Sequence, residues 1–182
     1  MSRVELLAAG TAPLTARRYY EYGDPGPVVA AMATVPELLE VCLPFLSAVL
    51  GASSLDARTK ELVIVRTSVL LECDYCVNSH SVVALDTGLT IEEVRGLRGE
   101  GPAVAADERE DALLGWVDAV AGGRGAVEDT VAARVGRCFA DHEVVALTLL
   151  VGATMMLNRF CTALELPTSP EVCQRLAAAG LR

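Results

Sequence analysis

The residue types best suited to chemistry in this sequence are a carboxylate, a pair of cysteines and a histidine, all close together in the chain. Glu61 is followed by Cys73, Cys76 and His80, the last being one of only 2 histidines. If residues 73–80 are helical, the cysteines and the histidine fall within an arc of about 60° on one face. Residues three apart in a helix have Cα atoms about 5–6 Å apart, a separation that a disulfide can span. The spacing therefore predicts a redox-active dithiol with an imidazole one turn further along.

Three neighbouring features would support thiol chemistry. A thiol attacks only as its thiolate, and a helix N-terminus would lower the ordinary thiol pKa of about 8.5. His80 would accept the thiol proton or stabilise the thiolate as its cation. Glu61 would orient the imidazole if the two helices pack antiparallel. Tyr75, between the cysteines, would either donate a hydrogen bond in the site or pack against an apolar edge.

Other interpretations of the same residues stay open. Cys73 and Cys76 could bind zinc, with His80 as a third ligand and His142 as a fourth. Structural zinc sites generally take their ligands from separated turns or loops, which favours the dithiol over three ligands on one helical face. The two cysteines could also be incidental core residues. His142, which lies between two acidic residues, is most simply an exposed residue in a helix's first turn.

The chain has 6 cysteines, which do not make a disulfide scaffold. Four of them stand singly in apolar or helical segments and are predicted to behave as small hydrophobes: Cys42, Cys138, Cys161 and Cys173. One reactive dithiol among free thiols predicts a reducing, cytoplasmic compartment. The start of the chain agrees with this, since Glu5 interrupts its short apolar run and no signal-peptide pattern follows.

Composition limits the possible partners. A formal net charge of −9 argues against nucleic acid and against an anionic membrane surface, because no basic stripe is present to neutralise phosphates. The most apolar stretch, residues 144–157, is shorter than the about 20 residues that span a bilayer and is predicted to be a buried helix. A mean hydropathy of +0.40 is high for a monomer of this size, which predicts a homo-oligomer.

The elements that must position the site are predicted to be helical. With 52% hydrophobic and only 4% aromatic residues, the core must be built largely from Ala, Val and Leu. The run Val63-Ile64-Val65 also suits a strand, but about 17 residues without Gly or Pro favour a buried helix ending at Leu71. A helix from about Cys73 to Thr87 follows.

One compact all-α multi-helix bundle is predicted over residues 1–182. Its parts are an N-terminal arm over 1–33, a redox core over 55–99 and C-terminal helices over 107–180. Within the redox core, Thr90 and Glu93 are placed to form a capping box at the start of a short helix.

One family resemblance is carried by the spacing of the site residues. Glu61-x11-Cys73-x2-Cys76-x3-His80, followed by Gly88-Leu89-Thr90-x-Glu92-Glu93-Val94, resembles the alkyl hydroperoxidase D-like core of the carboxymuconolactone decarboxylase superfamily. The resemblance extends upstream over residues 55–60 and reaches weaker matches at 112–114 and 158–159. It implies an all-α fold of the alkyl hydroperoxidase D-like type, assembled into dimers, trimers or hexamers.

The resemblance also implies a cofactor-independent alkyl hydroperoxidase, an oxidoreductase of peroxiredoxin type that uses no haem, flavin or metal. Matching these residues to the family's motif implies that Cys76 attacks the hydroperoxide and that Cys73 is its resolving partner. It also implies that His80 and Glu61 form the proton relay. The reductant would be a thiol or dithiol: a lipoyl group, a thioredoxin-like protein or a low-molecular-weight thiol.

Two features separate this chain from relatives. Tyr75 stands where alkyl hydroperoxidase D itself has a histidine between its cysteines. The decarboxylase branch lacks the cysteine pair, so the dithiol counts against a decarboxylase-like member, which stays an alternative beside a zinc-binding or redox-sensing oligomer.

Helix-end electrostatics alone would choose Cys73 as the more acidic thiol. Cys76 is preferred as the attacking residue because His80 lies one turn away from it.

Overall fold

The computed structural model describes residues 2–101, 105–123 and 125–181. Within these ranges all regular secondary structure is helical, which confirms the predicted all-α fold. A short 3-10 helix, Arg17–Tyr20, precedes α1 Pro27–Met32, α2 Pro36–Leu50, α3 Ala57–Leu70, α4 Asp74–Asp86, α5 Ile91–Leu97, α6 Glu108–Gly122, α7 Asp129–Cys138, α8 Asp141–Leu164 and α9 Pro170–Ala178.

Helix α3 lies at the centre of the bundle, where it packs against α4, α5, α6 and α8. The run Val63-Ile64-Val65 is helical and buried, so length indicated its conformation better than β-propensity did. The helix begins after Asp56, whose carboxylate accepts a hydrogen bond from the Thr59 N–H at 2.8 Å. Because α3 is surrounded on all sides, its polar residue Glu61 is held inside the protein.

A tight turn joins α3 to α4 and determines where the cysteines lie. Glu72 adopts the left-handed conformation, with φ of 54°, although it is not a glycine. The Cys73 N–H donates to the Ser68 carbonyl at 3.0 Å and the Glu72 N–H to that of Val69 at 3.1 Å, the two bonds of a Schellman motif. A left-handed non-glycine residue costs about 1–2 kcal/mol, which the packing of α3 against α4 must offset. The turn directs α4 back along α3.

The predicted capping box at the start of α5 is present. The Thr90 Oγ1 accepts a hydrogen bond from the Glu93 N–H at 3.2 Å, and the Glu93 carboxylate accepts one from the Thr90 N–H at 2.7 Å. Arg58 of α3 reaches the same carboxylate at 2.5 Å. The cap therefore also ties α5 to the central helix.

Helix α8 is 24 residues long and extends beyond the predicted apolar run at both ends. By length and composition alone it would suit a membrane span. It packs against α2, α3, α4, α6 and α7 along one face, and 39% of its most apolar window is buried, so the predicted buried helix is only partly buried. Its outer face leaves Val145, Leu149 and Met156 exposed.

The described part of the N-terminal arm folds back on its own chain. The Arg3 N–H donates to the Leu164 carbonyl at the end of α8 at 2.9 Å, and the Leu7 N–H donates to the Ala30 carbonyl in α1 at 3.2 Å. These bonds bring Leu6 against the buried cluster that contains the cysteines. The arm therefore covers the site from the side of α1 and α8.

Candidate active site

Two cysteines at the start of α4 form the centre of the site. Cys73 is the N-cap of the helix and Cys76 lies in its first turn. Their Sγ atoms are 2.8 Å apart, and both are buried free thiols. The Schellman turn sets this geometry because its last hydrogen bond is made by the Cys73 N–H. At this helix end, N–H groups without intrahelical partners favour a negative sulfur.

A third thiol joins the pair. Cys161 of α8 is 2% exposed, and its Sγ lies with those of Cys73 and Cys76 in a group whose members are all within 4.8 Å of one another. The prediction that Cys161 stands alone as a small hydrophobe is therefore wrong, because the packing of α8 against α4 is not visible in local sequence. Cys42, Cys138 and Cys173 lie outside this group, the first two partly exposed and the third exposed.

Glu61 and His80 face each other across α3 and α4. The Nδ1 atom of His80 lies 2.9 Å from Oε2 of Glu61. Glu61 is buried, while the His80 side chain is 27% exposed. Because a carboxylate only accepts hydrogen bonds, we assign the proton to Nδ1, which leaves the lone pair of Nε2 for groups near the thiols. The antiparallel packing of two helices thus brings together residues that are 19 positions apart in sequence.

The three thiols hold their protons unequally. Hydrogen bonds from Cys161 and then from Cys76 lower the pKa of Cys73, against the opposing effect of burial. Cys161 also lowers the pKa of Cys76, but the hydrogen bond with Cys73, burial and the negative charge of Cys73 outweigh this and raise it. The pKa of Cys161 is raised, first by its hydrogen bond to Cys73. These directions make Cys73 the thiol of the cluster that most readily becomes a thiolate.

We expect this thiolate to be detectable well below the ordinary thiol pKa of about 8.5. Because the pKa of Cys73 is lowered in the folded protein, its charged form persists at neutral pH and is lost only as pH falls through that lowered pKa. Thiolate absorbance in the far ultraviolet should persist at neutral pH in the reduced wild type and in Cys173→Ser. It should be lost in Cys73→Ser. A wild type without thiolate absorbance at neutral pH would contradict the assignment.

A cleft of about 560 Å³, here called the main cleft, leads to the dithiol. Its apolar wall comes from α1, α2 and α8 and consists of Val28, Leu43, Leu46, Leu50 and Leu157. Its polar lining includes Tyr75, Cys76, Ser79, His80 and Cys161. The Lys60 ammonium donates to the carbonyls of Leu50 and Gly51, which fixes the end of α2 at the cleft.

A second cavity of about 270 Å³, here called the recess, also reaches the thiols. Cys73 lines the recess, and Tyr75 and Cys161 line both cavities. The recess also contains three carboxylates, those of Glu72, Asp74 and Glu165. Tyr75 packs against the thiol cluster, and burial is the main cause that raises its pKa to about 12. Its phenol is therefore protonated at neutral pH and able to donate a hydrogen bond.

A buried amide beside the thiols was not predicted from the sequence. Asn158 of α8 is fully buried, and its Nδ2 donates to the Ser68 Oγ at 3.0 Å. A hydrogen bond from the same side chain acts to lower the pKa of Cys76. Asn158 precedes Cys161 by about one helical turn in a strongly apolar helix, and that spacing is the sequence signal that could have indicated both residues.

The zinc site considered from the sequence is not assembled. His142 is exposed in the first turn of α8, as predicted, and His80 is paired with the carboxylate on α3. The residues that could share a metal ion within the described ranges are instead Cys73, Cys76 and Cys161. Zn–S bonds of about 2.3 Å would hold tetrahedral thiolates about 3.8 Å apart. The separation of 2.8 Å between the paired sulfurs fits a dithiol better.

A family model matches part of this chain. The model of the Carboxymuconolactone decarboxylase family matches residues 36–119, a range that includes Glu61, the Cys73–Cys76 pair and His80. A search of curated proteins found no match.

Three solved structures are similar to this chain. A protein of unknown function from Agrobacterium tumefaciens, with a suggested role in antioxidant defence (AhpD), is 27% identical, covers 76% of this chain and 94% of its own, and has a TM-score of 0.67. An uncharacterised peroxidase-related protein with an alkylhydroperoxidase AhpD core, from Ralstonia eutropha JMP134, has a TM-score of 0.82 at 16% identity and covers 94% of each chain. The debrominase Bmp8, in complex with 2,3,4-tribromopyrrole, has a TM-score of 0.79 at 15% identity and covers 98% of this chain and 100% of its own. The last two similarities establish a shared fold.

Proposed function

We propose that this chain is a thiol-dependent peroxidase of the carboxymuconolactone decarboxylase superfamily, because the family model matches residues 36–119 and the chain shares the fold of AhpD-like proteins. The observation that carries the proposal is the dithiol of Cys73 and Cys76, with Sγ atoms 2.8 Å apart, beside the Glu61–His80 pair. Cys76 and His80 line the same cleft. A hydroperoxide bound there would meet a sulfur nucleophile and an imidazole together.

The proposed reaction has two steps. The Cys76 thiol gives its proton to Nε2 of His80, and the thiolate attacks the terminal oxygen of the hydroperoxide. The O–O bond breaks, and the alcohol leaves with that proton, returned by His80. The resulting sulfenic acid at Cys76 is attacked by Cys73, the S–O bond breaks, water leaves and a disulfide forms. One hydroperoxide and two thiols thus give one alcohol, one water and one disulfide.

The pKa values of the two cysteines and their positions in the two cavities favour different residues as the attacking thiol. The pKa of Cys73 is lowered and that of Cys76 is raised, so electrostatics favour Cys73. Access favours Cys76, which lines the main cleft beside His80, whereas Cys73 lines the recess. We assign the attack to Cys76, because it lines the main cleft together with His80, whose Nε2 lone pair can accept its proton. Cys73, whose sulfur lies 2.8 Å away, then acts as the resolving thiol.

Turnover of a hydroperoxide by the purified protein tests this proposal. The reductants to compare are a lipoyl domain, thioredoxin, glutathione and mycothiol, the classes expected in a reducing, cytoplasmic compartment. We expect at least one of them to support consumption of hydroperoxide with equal formation of alcohol. Metal analysis of the untreated preparation tests the zinc-binding alternative, and the turnover assay tests the redox-sensing one. Stoichiometric zinc without turnover would contradict the proposal.

Reductive dehalogenation is a second candidate, favoured by the apolar wall of the main cleft. Leu43, Leu46 and Leu50 of α2 form a surface suited to a halogenated ring, and a debrominase shares the fold. Such a reaction would use the same dithiol: an aryl bromide and two thiols would give the arene, hydrogen bromide and one disulfide. The discriminating measurement is bromide release from 2,3,4-tribromopyrrole under the same reductants, compared with hydroperoxide turnover.

We propose that the protein forms a homo-oligomer through an apolar face shared by α2 and α8. Leu38, Val41 and Phe45 are exposed and spaced three and four apart, so they lie on one side of α2. Helix α8 exposes Met156, which lines an apolar pocket together with Leu38, and Val145 and Leu149 lie on the same side of α8 as Met156. Monomeric proteins rarely leave so continuous an apolar surface in water. A dimer, trimer or hexamer would cover it.

We expect sedimentation at micromolar concentration to show an oligomer, rather than the monomer, as the main species. Val41→Lys should weaken the assembly, because it places a charge within the face that must lose water. Leu14→Lys, at a residue that is 79% exposed in the N-terminal arm, is the control and should sediment like the wild type. A monodisperse wild-type monomer would rule out the assembly.

A further inference from the structure

Cys161 has no part in the peroxidase steps above, yet it is built into the same cluster. Its sulfur lies within 4.8 Å of those of Cys73 and Cys76, and all three side chains are buried. It comes from α8, whereas the other two come from the start of α4. It also lines both the main cleft and the recess. A disulfide needs two sulfurs to approach to about 2 Å, so any two sulfurs of this group have to close a gap of less than about 3 Å.

We propose that Cys161 is a third redox-active thiol, which forms a disulfide with Cys76. This inference rests on the proposed peroxidase, because it needs the oxidised Cys76 that the peroxidase reaction generates. Cys76 is the partner because it and Cys161 face the same cleft. The disulfide would link α4 to α8.

Two reactions lead to this disulfide without any further oxidant. In the first, the Cys161 thiol attacks the sulfenic acid of Cys76; the S–S bond forms, the S–O bond breaks and water leaves. In the second, it attacks the Cys76 sulfur of the Cys73–Cys76 disulfide; a new S–S bond forms and the old one breaks. The proton of Cys161 then passes to the Cys73 sulfur, with which it already shares a hydrogen bond.

The surroundings of Cys73 favour the exchange. The leaving sulfur in such a reaction departs faster when its pKa is low. The thiol hydrogen bonds from Cys161 and Cys76 are lost on oxidation, but those from the Cys76 backbone N–H and the Thr162 side chain, which also lower the pKa of Cys73, remain. The pKa of Cys161 is raised chiefly by the hydrogen bond to Cys73, a cause that disappears once Cys73 is oxidised. Oxidation of the pair therefore removes the main obstacle to ionisation of the third thiol. After the exchange, the oxidised sulfur of Cys161 lies at the wall of the recess, and Cys73 there is a free thiol again.

Cys73→Ser provides the test, because Cys161 is then the thiol of the cluster left to resolve Cys76. The reduced variant is treated with one equivalent of hydrogen peroxide, quenched in acid and mapped by mass spectrometry. We expect a Cys76–Cys161 disulfide and no stable sulfenic acid. Cys73→Ser with Cys161→Ala should instead stall as a Cys76 sulfenic acid that dimedone traps. Cys73→Ser with Cys173→Ser is the matched control and should form the same disulfide as Cys73→Ser.

Peptide mapping of the oxidised wild type is a second measurement, and it does not depend on how the variants fold. After the same treatment its peptide map should contain Cys76–Cys161 as well as Cys73–Cys76. The wild type and Cys73→Ser must both form the Cys76–Cys161 disulfide, and its absence from either protein contradicts the inference. A Cys76 that stays a free thiol in every protein would instead contradict the peroxidase proposal itself, so the two failures are distinguishable.

Discussion

Cys76→Ser is expected to abolish hydroperoxide reduction, with kcat/KM falling by several orders of magnitude to the uncatalysed background. A serine hydroxyl is essentially un-ionised near neutral pH and cannot replace a thiolate as nucleophile. The change is nearly isosteric at a residue that is 6% exposed, so the fold should be retained. Turnover is measured as the loss of hydroperoxide under the best reductant, with thermal melting as the check on folding.

Two matched variants make this result specific. Cys138→Ser and Cys173→Ser remove thiols outside the cluster and should retain wild-type turnover. If Cys76→Ser still reacts with hydroperoxide while Cys73→Ser does not, the nucleophile is Cys73. In that case the charge on the helix N-cap, rather than access to the main cleft, decides which sulfur attacks.

His80→Ala is expected to slow turnover by about 10²–10⁴-fold, the usual contribution of one acid–base group. The imidazole would supply the proton that the departing alcohol needs, and nothing in the alanine variant replaces it. Residual activity should remain, because the dithiol is intact. The His80 side chain is partly exposed at the main cleft, so added imidazole should restore part of the rate.

Glu61→Gln should have a smaller effect than His80→Ala. An amide oxygen can still accept the hydrogen bond from His80 Nδ1 across the observed 2.9 Å, but it brings no negative charge to stabilise the imidazolium. The loss should appear in kcat more than in KM, since Glu61 acts through His80 rather than on the substrate. Wild-type rates in both variants would show that the relay has no part in the chemistry.

The redox core could be predicted because its geometry depends on residues near one another in sequence. A helix starting at Cys73 brings Cys76 onto the same face, and the turn at Glu72 directs α4 back along α3. Antiparallel packing then pairs Glu61 with His80. Each step follows from local conformation plus one helix–helix contact, so spacing alone carried much of the information.

The contribution of α8 could not be predicted in the same way. Cys161 and Asn158 reach the site only because that helix packs against α4 and α3, a tertiary contact that their spacing of three residues does not specify. Asn158 stands at the polar end of the apolar run 144–157, and Cys161, one turn further, resembles an ordinary core position. The order of acidity among the thiols was equally hidden, since it depends on hydrogen bonds among all three sulfurs.

The stoichiometric reaction of the reduced protein with one equivalent of cumene hydroperoxide tests the central claim most directly. The measured quantities are hydroperoxide lost, alcohol formed, thiols lost per chain and the position of each disulfide after an acid quench. We expect one alcohol for each hydroperoxide, the loss of two thiols per chain, and Cys76 in the disulfide of every oxidised chain. Hydroperoxide left unreacted, or oxidation confined to Cys42, Cys138 and Cys173, would contradict the account.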